Sequence, residues 1–387
     1  MSTAPELERT PWWRLPLIAV GISLIVGVVL LAFSWPAVTA EAQDLPIGIV
    51  GSADQIDQVA DAIDEQSDGA IALTEYDDRD AAVTAIEQRL VYGAVVIPAE
   101  QGDAPEVLTA TAASPLVAQM LQGIAQEQQA QIDAQIRAGV EENLAALQQS
   151  IAEKLQAIVQ AVLAGQMPEL PGADAEPVTI PTISVAVTDV VPFADADPRG
   201  AGLSAAMFPM VIGGMLGGIA ITLLVKGGGL RRVVAVAIYA PVAGLVLAGI
   251  LHGLYGALQG TYLLNASAIA LAIAAISSTI TGLAGLIGPA GVGLGAAFTM
   301  LVANPLSAAT VPVEFIPAPW GAFGQWLAPG AAATLIRSLS YFPGADVTFP
   351  WLVLAGWTVA GIALTLIDIP ARRLAAGETA AAHPLTV

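Results

Sequence analysis

The sequence predicts an α-helical polytopic membrane protein with six transmembrane helices and, between the first and second, an extracytoplasmic domain of α/β plus long-helix character. Three observations carry that prediction. Of 387 residues 56% are hydrophobic and 12% charged, with a mean hydropathy of +0.71, whereas soluble domains are about one quarter charged. Six apolar stretches have the length or the neighbours of membrane helices. The net charge of −20 is concentrated: residues 37–200 hold 27 acidic and five basic residues, or −22, and the rest of the chain carries +2.

Residues 1–14 form a cytoplasmic N-terminus and 15–36 the first span. The uncharged run 15–33 is long enough for roughly 30 Å of hydrocarbon at ~1.5 Å per residue, and Trp12, Trp13 and Trp35 mark its ends. Val38-Thr39-Ala40 resembles a signal-peptidase site. The run exceeds an ordinary signal core, however, and Glu6 and Glu8 precede it, so an uncleaved anchor is expected. The acidic domain, 37–200, starts with strand-like 46–51. Ile56, Val59, Ala60 and Ile63 then recur at helical spacing, followed by strand 70–74, a helix with Val83, Ile86 and Leu90, and strand 92–97 stopped by Pro98. That order predicts a small α/β layer.

The stretch 115–164, as one helix, would reach about 75 Å. From Ile132 to Val162 its apolar positions take eight steps over 30 residues, about 3.75 each, longer than the 3.5 of a left-handed coiled coil. A hairpin broken near Gly123 or Gly139, packing against the α/β layer, and a long zipper all fit. Residues 165–181 read as a linker and 182–191 as a returning strand.

Spans two to five occupy 201–303, with apolar runs at 203–225, 233–258, 263–287 and 289–302; Gly288-Pro289 must turn tightly between the last two. Residues 304–350 form an outer re-entrant or interfacial segment. It is proline-rich up to Trp320, then places Phe323, Trp326 and Leu327 on one helical face and Arg337 among Leu335, Ile336 and Leu339. The last span is 351–370 and the tail 371–387. Arg9 and Arg14, then Lys226, Arg231 and Arg232, then Arg372 and Arg373 all fall on the cytoplasmic side if both termini are inside. Five crossings would strand one cluster outside.

The chemistry is mostly negative. There is no cysteine, so no disulfide, thiolate metal site or cysteine nucleophile. The two lysines, Lys154 and Lys226, are followed by Leu and Gly, which excludes a P-loop. His252 and His383 are too few for a histidine zinc site, and no Gly-x-Ser-x-Gly elbow exists. No acidic or basic residue lies in mid-span; Asp368 and His252 sit at span ends, which argues against a proton-driven exporter. Asp77, Asp78 and Asp80 fit either a weak cation site or a solvated helix start. Gly213/Gly217 and Gly214/Gly218 make a small-residue face, and Ser277, Ser278, Thr279 and Thr281 a mild polar patch, read as helix packing or as a conduit lining. No enzyme activity, cofactor, metal or nucleic-acid partner is expected; the lipid bilayer is.

The layout resembles that of ABC-2-type membrane proteins, and within them the YhgE/Pip-like and DUF3533-like families. The matching residues are Val191-Pro192-Phe193, Asp197-Pro198-Arg199-Gly200, Pro209 and Gly213-Gly214. Further along they are Asn304-Pro305-Leu306-Ser307, Pro319 to Gln325, Pro329-Gly330, Arg337 and Tyr341-Phe342-Pro343-Gly344, with Tyr92 to Pro98 in the outer domain. The resemblance implies a permease subunit, a homodimer or heterodimer, exporting a hydrophobic or amphipathic compound with a separate ATPase. Lys226, Arg231 and Arg232 are then the candidate ATPase contact. Relatives of this layout also serve as envelope scaffolds, phage receptors or secretion components.

Overall fold

The computed structural model describes residues 13–67, 69–98, 104–164 and 183–367. Arg9, Trp12, Asp368, Arg372, Arg373, His383, the linker 165–181 and the tail 371–387 lie outside the described residues.

Helix α1 (Arg14–Val38) is apolar on all sides and leads into the acidic domain, called the outer domain after its expected side. There, β1 (Leu45–Val50), α2 (Ala53–Ser67), β2 (Ile71–Glu75), α3 (Arg79–Glu87) and β3 (Gly93–Val96) follow in the expected alternation. Two more strands complete a sheet of order β2-β1-β3-β4-β5: β4 (Glu106–Thr109), antiparallel to β3, and β5 (Ala186–Asp189), parallel to β4. β4 was not foreseen, because four residues without alternation carry no strand period. Asp78 caps α3, accepting from the Ala81 N–H at 2.8 Å. That is the helix-start reading of the Asp77–Asp80 group.

Glu106 ties this sheet together. Arg79 on α3 donates to it from Nε and Nη2 (2.6 and 2.9 Å), and the Thr188 hydroxyl on β5 donates at 2.6 Å. The Arg79 hydrogen bond is the largest reason its pKa lies below 4.5. A carboxylate held below its unfolded value stabilises the fold above that value and loses the contribution as pH falls through the lower folded one. The expected result is that Glu106→Gln lowers the melting temperature at neutral pH, and that the gap to wild type closes once the pH falls below 4.5. A gap independent of pH would sink the assignment.

Helix α4 (Pro115–Leu163) is a single helix of 49 residues, about 73 Å long. It starts on a Ser114 cap with Pro115 in the first turn. Its first turns bury Val117, Leu121 and Ala125 against Leu45, Ile47 and Val107. Gln129 then clasps the chain entering β5, accepting from the Val185 N–H (2.7 Å) and donating to the Ile183 carbonyl (3.0 Å). Beyond it the helix leaves the sheet. It is not the expected hairpin: Gly123 and Gly139 sit in the unbroken helix, a Cβ at either would meet nothing within 4 Å, and an isolated glycine costs a helix only about 1 kcal/mol.

The membrane half comprises α5 (Ala201–Leu224), α6 (Gly229–Ala248) continued by a π-helical turn (Gly249–Leu254), and α7 (Tyr262–Ile287). α8 (Pro289–Phe298) likewise ends in a π-helical turn (Thr299–Ala303), and α9 (Trp320–Gly324), α10 (Ala328–Tyr341) and α11 (Thr348–Ile367) follow. α7 is the axis: Ile269, Ile273, Ile276 and Ile280 are fully buried, and α5, α6, α8, α10 and α11 all pack on it. Among the described residues five helices are long and apolar enough to cross a membrane. Pro289–Ala303, expected as a short crossing, has 15 residues, about 22 Å, less than a bilayer core of about 30 Å.

Segment 304–350, expected as re-entrant or interfacial, folds as α9 and α10 with short helical turns before them. α10 is buried on most of its surface between the bundle and the outer domain. The core runs unbroken from Ile86 and Val91 of the outer domain to Leu335 and Phe342, so the compositional boundary at Gly200 is no boundary in packing.

Candidate functional site

The sequence-predicted residues fall in three places. The first is the crossing of α5, α6, α7 and α11. Ser277 donates to the Gly214 carbonyl (2.8 Å), and a Cβ at Gly214 would meet Ile276 at 2.9 Å. Gly218 lies against Ser277 and Ile280. The other glycine pair faces α6: Gly217 lies under the Tyr239 ring, and the Tyr239 hydroxyl donates to the Gly213 carbonyl at 2.7 Å. Ser278 and Thr281 are buried; Thr281 shares a 3.0 Å hydrogen bond with Thr365 on α11. Each of these hydroxyls is satisfied by helix backbone or by another hydroxyl, an arrangement that lets helices approach closely. Gly282, Gly361 and Thr365 belong to this crossing and were missed; Gly361-x-x-x-Thr365 was the available signal.

The second place is the end of the bundle where α5 turns into α6. Gly229 packs on the Thr365 carbonyl, so this turn, the end of α11 and, through Gly285, the end of α7 lie together. Lys226 and Arg231 are exposed here, with the Arg231 guanidinium folded over Gly227. Arg232 is half-buried, and its Nε has no partner among the described residues.

The third place is the opposite end, where the outer domain sits on the bundle. Trp320 and Phe323 pack edge to face at 5.9 Å, Trp326 and Phe349 at 4.9 Å, and the Trp357 indole donates to the Trp326 carbonyl. Such aromatics suit the membrane–water boundary. Arg337 donates inward to the Ala309 carbonyl (2.9 Å).

The residues that join the two halves were not foreseen. Arg89 Nη1 donates to Ser338 Oγ (2.7 Å) and the Thr334 carbonyl (3.4 Å), and its guanidinium stands 5.3 Å from the Phe342 ring centroid. Tyr92 donates to Glu314 at 2.8 Å. Gln43 adds a backbone bond to the Glu314 carbonyl, and its side chain accepts from the Ala318 N–H. Burial, with the Glu314 charge second, raises the Tyr92 pKa well above the usual phenol value, so the hydroxyl remains a donor. Burial lowers that of Arg89, opposed by Tyr92 and Glu314, yet a guanidinium keeps its charge at neutral pH. These contacts border a cavity of about 650 Å³. A second, apolar groove of about 520 Å³ runs between α6, α7 and α11, lined by Val236, Ala240, Leu245, Ala266, Ala270 and Ile362.

Comparison of the chain with protein-family models, curated proteins and solved structures gave no match.

Proposed function

We propose that the chain is an ABC-2-like permease subunit that exports a hydrophobic or amphipathic compound as a dimer, with a separate ATPase. The observation that carries this reading is the broken outer half of the bundle. α6 and α8 both loosen into π-helical turns, α8 stops after fifteen residues with that turn included, and the chain comes back as α10 against α7 and α11. Irregular backbone at membrane depth is tolerated inside protein or beside a water-filled path, and π-turns concentrate at functional positions. The apolar groove beside α6 supports an apolar cargo. In this reading the short helix completes a sixth crossing, both termini are cytoplasmic in the plasma membrane, residues 37–200 are outside, and Lys226 and Arg231 face the ATPase.

Affinity purification in gentle detergent from the native host tests the proposal. A Walker-motif ATPase is expected at a stoichiometric level, and Lys226→Glu with Arg231→Glu should reduce its recovery at least several-fold. Recovery of envelope or secretion proteins without an ATPase would move the assignment to the second reading, a non-transporting scaffold. That reading is favoured by one observation of its own, the projecting α4 of an outer domain carrying −22. Partner binding to such a domain weakens with salt.

A further inference from the structure

Arg79 and Arg89 lie at the two ends of α3, and their difference is informative. Arg79 uses Nε and Nη2, the parallel edge of the guanidinium, to hold Glu106 with two bonds. Arg89 uses Nη1 alone, for Ser338 and Thr334. Among the described residues its Nε/Nη2 edge has no hydrogen-bond partner, and no carboxylate lies within ion-pair distance. The side chain borders the junction cavity. The side chain is partly buried, and the backbone that presents it is costly: Arg89 closes α3 with φ 59°, a left-handed position that favours glycine. An arginine at a glycine position, with its bidentate edge unpartnered among the described residues and beside a cavity, is placed to hold an anion.

The same cavity is bordered by Glu314 and Asp346, and by the apolar Leu90, Val91 and Phe349. An anion alone would meet two carboxylates there. A molecule with a phosphate beside an ammonium would satisfy both signs, because the guanidinium edge matches phosphate oxygens in pairs and the carboxylates face the amine. Phe349 borders the cavity and meets the edge of Trp326 at 4.9 Å; indole rings favour the level of lipid head groups.

We infer that the junction cavity binds a phosphate–ammonium head group, with the phosphate on Arg89 Nε/Nη2 and the ammonium toward Glu314 and Asp346. The site requires only that the chain lie in a bilayer, and it stands whether the protein transports or scaffolds.

The test uses the full chain, delipidated in detergent, and reads melting temperature against added phosphatidylethanolamine, phosphatidylglycerol or soluble phosphoethanolamine. Phosphatidylethanolamine is expected to raise the wild-type value, phosphatidylglycerol to do so much less, and Arg89→Gln to lose the response. If soluble phosphoethanolamine reproduces the shift, the site takes the free compound; if only the lipid does, the ligand is a membrane lipid. Equal shifts with both lipids, or an unchanged response in Arg89→Gln, overturn the inference. Should Arg89→Gln fail to fold, Glu314→Gln decides. The amide keeps the acceptor for Tyr92, so its preference should move toward phosphatidylglycerol, and a wild-type preference would overturn the site.

Discussion

Gly361→Ala is expected to lower the melting temperature of the solubilised protein sharply, while Gly356→Ala on the same helix leaves it unchanged or raises it. The two glycines differ only in what faces them. A Cβ at Gly361 would stand 2.6 Å from both the carbonyl oxygen and Oγ of Ser278; opposite it, a Cβ at Gly282 would stand 2.6 Å from the Gly361 carbonyl. The backbones of α7 and α11 therefore touch with no side chain between them, and one methyl forces the axes apart. Overpacking costs about 1–3 kcal/mol and more where backbone cannot yield. Separation would also break the Thr281–Thr365 bond, worth roughly 0.6 kcal/mol in a membrane. At Gly356 nothing lies within 4 Å, and alanine gains up to about 1 kcal/mol of helix propensity. Detergent melting curves of both variants decide the matter. Equal melting temperatures would mean that α7 and α11 do not cross at these glycines.

What could be read in the sequence was what is local. Long apolar runs gave α1, α5, α6, α7 and α11 to within a few residues, because burial from water needs no particular partner. The first three strands were legible through their alternation with helices; β4 was too short to show a period. The glycines of α5 announced a close approach but not its other side, since one helix does not reveal which face of which neighbour it meets. Arg89 carried no signal in the sequence. Its partial burial depends on Thr334 and Ser338, 245 and 249 residues away, and the Tyr92–Glu314 bond spans 222. Nothing near Arg89 in the chain signals those partners, and its left-handed backbone appears only in the fold. The helix after Gly288 is a different case: its apolar run, 289–302, was already short for a crossing in the sequence.

Replacing Leu144, Leu147, Ile151 and Leu155 with Gln should convert the full-length protein in detergent from a dimer to a monomer. Past Gln129, α4 has left the sheet, yet these four side chains still expose 48–56% of their surface. Most helical stability comes from packing of an apolar face, and a contiguous exposed apolar stripe marks an interaction surface. From Ile136 to Ile158 the apolar steps run 4, 4, 3 and repeat, an 11-residue period. That period stays almost in line with a helix of 3.6 residues per turn and favours nearly straight or right-handed pairing rather than a left-handed coil. A second copy of the same arm offers the matching stripe. Fully burying a leucine or isoleucine yields about 1.5–3 kcal/mol, so covering the exposed half of four such residues on each of two arms yields roughly 6–12 kcal/mol. Association itself costs about 4–15 kcal/mol, a range that the contribution of the arms overlaps, so the arms are a principal source of affinity. Glutamine is close to leucine in helix propensity, so the variant keeps the helix and loses only the stripe. Mass measurement of the detergent complex, with circular dichroism to confirm helicity, gives the answer. A wild-type monomer would remove the arm as a dimer contact; a variant that remains dimeric would place the interface in the membrane, where the apolar groove between α6, α7 and α11 is the next surface to mutate.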